Sequence, residues 1–287
     1  MQWRANMART ASTRVTSELL RSVRAALAAL QRDDAPSDAS VHDARRMLRR
    51  ARAALRLLRP VLDRDALQRE DATLRAVART LGPMRDAEVC LGALAKFGRA
   101  PAAVRSLDLM PFEQSLRREL VAGRHRLRRS GRPMTRSTRD LTACLRRLDG
   151  ALPSRVDREP LEKGFLRIYR EARRRFAIAE KTTSPTSLHA WRKQCKYLSN
   201  AIDLMPPDLG LRHARALERM KELADVLGRH HDLTMLDAGV ATHGADLTGP
   251  AIRTLRAAIA TRQQKLGGKA LRLGRITFSS KASRLLE

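Results

Sequence analysis

Val41-His42-Asp43-Ala44-Arg45-Arg46-Met47-Leu48-Arg49 returns 147 residues later as Leu188-His189-Ala190-Trp191-Arg192-Lys193-Gln194-Cys195-Lys196. In each copy an apolar residue precedes a histidine, and cations follow three, four and seven positions after it. Those intervals place the histidine and the cations on one side of a helix. Pro60 and Pro207 keep the same offset. Leu81-Gly82-x-x-Arg85-Asp86 and Leu227-Gly228-x-x-His231-Asp232 repeat at an offset of 146. Two motifs in one order and nearly one spacing point to an internal duplication: two helical bundles related by a pseudo-twofold axis.

The flanking sequence reads as helix throughout, and no period-2 apolar run is long enough for a strand. Val15, Leu19, Val23, Leu27 and Leu30 form a 3.6-period stripe over 15–32. Asp33-Asp34-Ala35-Pro36-Ser37-Asp38 breaks it, and Ser40 with Asp43 reads as a capping box for a helix running to Pro60. A helix from Asp65 towards Phe97 is interrupted at Gly82-Pro83. Others cover about 104–129, 135–148, 160–181, 185–204, 209–227 with a continuation to Val240, and 250–272. Ser184-Pro185 is a cap followed by proline at the first helical position. Residues 1–14 read as a basic tail with no acid before Glu18, or as a transit peptide. The first helical half is then 15–153 and the second 154–287, as one continuous domain.

The chain has 287 residues with 58 Lys and Arg against 30 Asp and Glu, a net charge of +28. Forty-nine of those bases are Arg. At 43% apolar residues the chain can bury a core and is not a disordered polycation. Three scattered cysteines (Cys90, Cys144, Cys195) do not make a disulfide framework, and no apolar run reaches the length of a membrane span. The balance favours a soluble, cytoplasmic protein that binds a polyanion.

The charge is most ordered after Ser40. Arg45, Arg49, Arg52 and Arg56 share one face with His42, and Arg46 lies beside them. An ordinary solvated face mixes signs, whereas this one reads as a ladder for an extended polyanion. Guanidinium groups grip phosphate oxygens bidentately. The second ladder, His189, Arg192, Lys193 and Lys196, is shorter because Ser199 stands where Arg52 stands in the first. His125 lies among the Arg residues of 117–147, a region better read as arginine stems over apolar surface. Lys163, Arg167, Arg170 and Arg174 form a one-sided series. His230-His231-Asp232 invites a metal reading, but its counterpart Arg85-Asp86 supplies no imidazole. No HExxH, CxxC, Walker loop or nucleophile elbow occurs.

The ordered set of His42, Arg45, Arg49, Arg50 and Arg52, then Leu81-Gly82-x-x-Arg85-Asp86, then the two matching motifs, resembles a CHAD domain, the conserved-histidine α-helical domain. The resemblance runs from about residue 15 to 272, and Tyr169-Arg170-x-x-Arg173 fits it too. It implies an all-α fold of two antiparallel four-helix bundles related by internal pseudo-twofold duplication. Basic residues of both halves would line a pore or groove that binds inorganic polyphosphate, with association to polyphosphate granules. Carried onto this sequence, the binding set is His42, Arg45, Arg46, Arg49, Arg52, Arg56, Arg85, His125, Arg170, Arg173, Arg174, His189, Arg192, Lys193, Lys196 and His231. Ser199 and Asn200 depart from the family pattern. Some family members carry a CYTH catalytic domain, whose alternating acidic and basic strands are missing from this sequence. The expectation is therefore a non-enzymatic module with no cofactor and no metal. A nucleic-acid-binding protein is the competing reading, since charge alone serves it equally. Two Trp, two Tyr and five Phe leave little to stack on bases.

Overall fold

The computed structural model describes the backbone of residues 2–32, 37–97, 102–130, 132–205 and 210–279. Side chains are described for these except at 2–12, 83–85, 127–130, 132–133 and 210–214. Within the described residues the protein is all-α: α1 (Gln2–Gln31), α2 (Asp38–Leu57), α3 (Arg64–Thr80), α4 (Gly82–Phe97), α5 (Ala102–Arg105), α6 (Met110–Ser130), α7 (Arg132–Ala151), α8 (Arg158–Thr182), α9 (Pro185–Leu204), α10 (Gly210–His243) and α11 (Gly249–Phe278). There are eleven helices and no strand among them.

Local signals set most boundaries. Ser184 caps α9 through a reciprocal pair with Ser187, and Pro185 opens the helix, as expected. The cap of α2 is not Ser40 but Ser37, whose side chain accepts from the Ser40 backbone N–H at 3.1 Å. The helix starts one turn earlier because Asp38 then lies in the first turn, where the helix dipole favours an acid. Asp33 to Pro36, part of the predicted break, lie outside the described residues. Gly228 does not end a helix: α10 passes through it unbroken. A mid-helix glycine costs only about 1 kcal/mol, and burial of Leu223, Leu227, Leu233 and Leu236 on that helix outweighs it.

α2 is the central element. It packs on α1, α3, α4, α8 and α9. Val41, Ala44, Leu48, Ala51 and Leu55 are fully buried on it, and the small side chains of Ala44, Ala51, Ala53 and Ala54 let neighbours approach closely. At its C-terminal end the approach becomes backbone to backbone. A Cβ placed on Gly164 of α8 would sit 2.1 Å from the Leu57 carbonyl oxygen, so only glycine fits this crossing. Gly274 of α11 does the same against the rings of Phe176 and Trp191. α9 packs on α8, α10 and α2, which brings the two ladder helices side by side. No helix among the described residues is long and apolar enough to cross a membrane.

Buried ion pairs lock the frame. Glu70 of α3, almost wholly buried, accepts from Arg147 of α7 at 2.6 and 2.8 Å and from Arg69 at 3.0 Å. Burial alone would raise its pKa, yet these donors hold the carboxyl below its usual value. Arg50 joins three helices by pairing with Glu18 of α1 and Asp203 of α9.

Candidate polyanion site

The seam between α2 and α9 divides into two ends of different electrostatic character. At the end nearer the α2 C-terminus, the predicted ladder residues Arg52 and Arg56 are already engaged. Arg52 donates to both oxygens of Asp71 on α3, at 2.8 and 3.2 Å. Arg56 donates to Asp71 at 3.2 Å and to the Arg52 carbonyl at 2.8 Å. Tyr197 of α9 lies under both guanidinium groups, 5.4 Å from Arg52 and 3.9 Å from Arg56. Burial opposes the charge on Asp71, but Arg52, Arg56 and Arg75 win and pull its pKa to about 2. The pKa of Arg56 is lowered by burial despite these partners.

At the other end cations of both ladder helices come together. Lys196 is half-buried, and burial together with Arg192 and with Arg49 from α2 holds its ammonium below the usual lysine range. Its carboxylate neighbour, Asp225, lies 3.7 Å away and is 73% exposed, where solvent screens it. Cations of both ladders thus lie close enough to act on one another, and burial, the largest cause, adds to their effect on Lys196. Arg45 anchors the α2 side, donating to the Ala78 carbonyl at 2.7 Å.

One helical turn before Arg192, His189 meets His231 of α10, with Nδ1 atoms 3.2 Å apart. The rings are tilted by 42° with centroids 4.5 Å apart. Burial, then Arg192 and neighbouring histidines, lowers the His231 pKa to about 3. Burial, Lys193 and Arg192 lower that of His189. Both are therefore neutral near pH 7.

The remaining predicted residues fall into two groups. His42, Arg46 and Lys193 are exposed on the two ladder helices, with Arg46 reaching Asp43 at 3.3 Å. Arg170, Arg173 and Arg174 are exposed on α8, and Arg174 is held by Glu171 at 2.8 Å. His125 is exposed on α6. The Arg85 side chain lies outside the described residues. Asp71, Tyr197 and Asp225 were not anticipated. Asp71 had a signal: it lies 19 residues from Arg52 across a helical hairpin, the same separation as Asp237 from its partner Arg256, 2.8 Å away. His230 is buried, and among the described residues no group of three or more His, Cys, Asp or Glu could hold a metal ion. The three cysteines are buried and unpaired, and burial raises the Cys90 thiol to about 11, far from a nucleophile.

The sequence matches the family described as CHAD domain over residues 14–241. The chain belongs to the CHAD domain family. Solved structures agree in fold. The CHAD domain from the plant Ricinus communis superposes with a TM-score of 0.65 at 18% identity, covering 94% of this chain and 93% of that one. PptA from Streptomyces chartreusis superposes with a TM-score of 0.60 at 17% identity, covering 93% of this chain and 98% of that one. A comparison with curated protein sequences found no match. At these identities the likeness to solved structures concerns the fold of the CHAD domain. The chemistry of this one rests on its own seam.

Proposed function

We propose that this CHAD domain binds inorganic polyphosphate without turning it over, along the seam between α2 and α9. The observation that carries the reading is the convergence of Arg49, Arg192 and Lys196, donated by two helices close enough to act on one another. A linear chain of phosphates supplies closely repeated negative charge, enough to meet every cation of a stripe spaced about 5–6 Å along a helix face. Arg45, Arg49, Arg192, Lys193 and Lys196 are the phosphate-contacting set, with His189 and His231 beside them. Arg52 and Arg56 serve as a brace that fixes α2 against α3 and Tyr197. The duplicated sequence motifs fit two antiparallel four-helix bundles about a pseudo-twofold axis, with one ladder from each. Association with cytoplasmic polyphosphate granules follows from such a site.

Replacing Arg45 and Arg49 together by Ala tests the site. Charge-assisted hydrogen bonds are worth about 1.5–3 kcal/mol each, so polyphosphate affinity falls by at least a hundredfold. Arg136→Ala with Arg139→Ala removes two cations that are 77% and 74% exposed on α7, and affinity falls by less than threefold. Equal losses from the two pairs mean diffuse attraction to the net charge, which is the behaviour of a nucleic-acid-binding polycation.

A further inference from the structure

His189 and His231 face each other with Nδ1 atoms 3.2 Å apart. A contact of that kind holds one hydrogen: one ring donates from Nδ1 and the other accepts there. In the neutral pair the donor ring has a bare Nε2, while the acceptor ring carries its proton on Nε2. One added proton, placed on the bare Nε2, leaves the bond between the rings intact. The pair then carries one positive charge and an N–H on both far nitrogens. A second proton would set two N–H groups head to head at 3.2 Å and break the contact. This geometry therefore admits two states, neutral and singly charged.

The surrounding charges select between them. From α9, Arg192 and Lys193 act on the pair, and from α10 so does His230. Asp232 follows His231 in the chain and, with Asp86 of α4, acts on Cys90. Arg49 of α2 reaches Lys196, two turns further along α9. α11 meets His230 at Gly267 and sets Lys269 on Glu222 and Arg256 on Asp237 of α10, each cation paired with a carboxylate, while α6 meets α10 where Gly239 faces Leu116. Cations dominate the balance, which keeps the pair neutral. An anion along the seam reverses that field and offers oxygen acceptors to ring N–H groups.

We propose that the His189–His231 pair takes up one proton when a polyphosphate chain occupies the seam, so that binding tightens as the pH falls from 8 to 6. This inference rests on the polyphosphate reading above. The proton comes from the buffer, and no covalent bond changes. The test is titration calorimetry of the full chain with long-chain polyphosphate, whose chain ends are few. Measurements at pH 7 in two buffers of different ionisation enthalpy count the protons. The expected result is uptake approaching one proton per occupied seam, with Kd improving by up to tenfold per pH unit. His189→Asn with His231→Asn abolishes the uptake, while His243→Gln, at the far end of α10, retains it. Saturable binding with no buffer-dependent heat in the unsubstituted protein overturns the proposal and leaves the polyphosphate reading standing. So does uptake that persists in the double variant. No saturable binding even at pH 8 overturns both. The unsubstituted protein alone decides the first point, so a misfolded variant does not obscure it.

Discussion

Asp71→Asn separates the brace from the binding site. Asp71 is 18% exposed and holds Arg52, Arg56 and Arg75. Its carboxyl titrates near 2 instead of 3.8. At 1.36 kcal/mol per pH unit, this lowering corresponds to about 2 kcal/mol of stability at neutral pH. The sign follows from the depressed value: the contribution is full above pH 3.8 and is lost as the pH falls through 2. Asparagine keeps the shape and loses the charge, leaving two enclosed guanidinium groups without their anion. At about 2–4 °C per kcal/mol for a chain of this order of size, thermal melts at pH 7 should show a drop of about 4–8 °C. Polyphosphate affinity, measured well below the melting transition, should change by less than threefold, because Arg45, Arg49, Arg192, Lys193 and Lys196 are untouched. An unchanged Tm refutes the brace. A tenfold or greater loss of affinity refutes the division of the seam into a structural end and a binding end.

Two further outcomes follow from the same structure. Gly164→Ala forces apart α8 and the backbone at Leu57, where relief through a side chain is impossible. Overpacking of this kind costs about 1–3 kcal/mol or more, so urea midpoints should fall clearly, and a midpoint equal to that of the unsubstituted protein contradicts the close crossing. Acidification destabilises the ligand-free protein, because His189 and His231 titrate below 6.5 when folded and near 6.5 when unfolded. The unfolded chain then binds protons that the folded chain refuses, and stability falls as the pH drops below 6.5. With His231 near 3, that residue alone costs about 2 kcal/mol by pH 5. Melts at pH 5 and 7.5 check this, and a Tm that holds or rises towards pH 5 contradicts it.

Most helices, the two ladder helices among them, were legible because their signals are local, whereas the single helix expected over 104–129 is instead α5 and α6, separated at 106–109. The stripe at Val15, Leu19 and Val23, the Ser184-Pro185 cap, and the repeated His-x-x-Arg spacing act within a turn or two. The shift of the α2 cap from Ser40 to Ser37 reflects two serines three apart competing for one role, with Asp38 deciding. The unbroken course of α10 through Gly228 was not legible, since tertiary burial overrides a single glycine's propensity. The charge state of the ladder was not legible either. From sequence, Arg45, Arg49, Arg52 and Arg56 form one uniform face. Asp71 arrives from a different helix, and its effect on Arg52 and Arg56 depends on hairpin register and helix rotation. The His189–His231 contact likewise depends on how α9 and α10 pack.

The measurement that bears most directly on a shaped polyphosphate site is the affinity for long-chain polyphosphate at three salt concentrations, with duplex DNA of equal phosphate content as competitor. Five phosphate contacts give a log–log salt slope of about −3.5, roughly a hundredfold loss between 50 and 200 mM. The seam predicts that slope together with tight binding that DNA fails to displace. Equal displacement by DNA at every salt concentration would contradict it and return the +28 charge to the role of an unselective polycation.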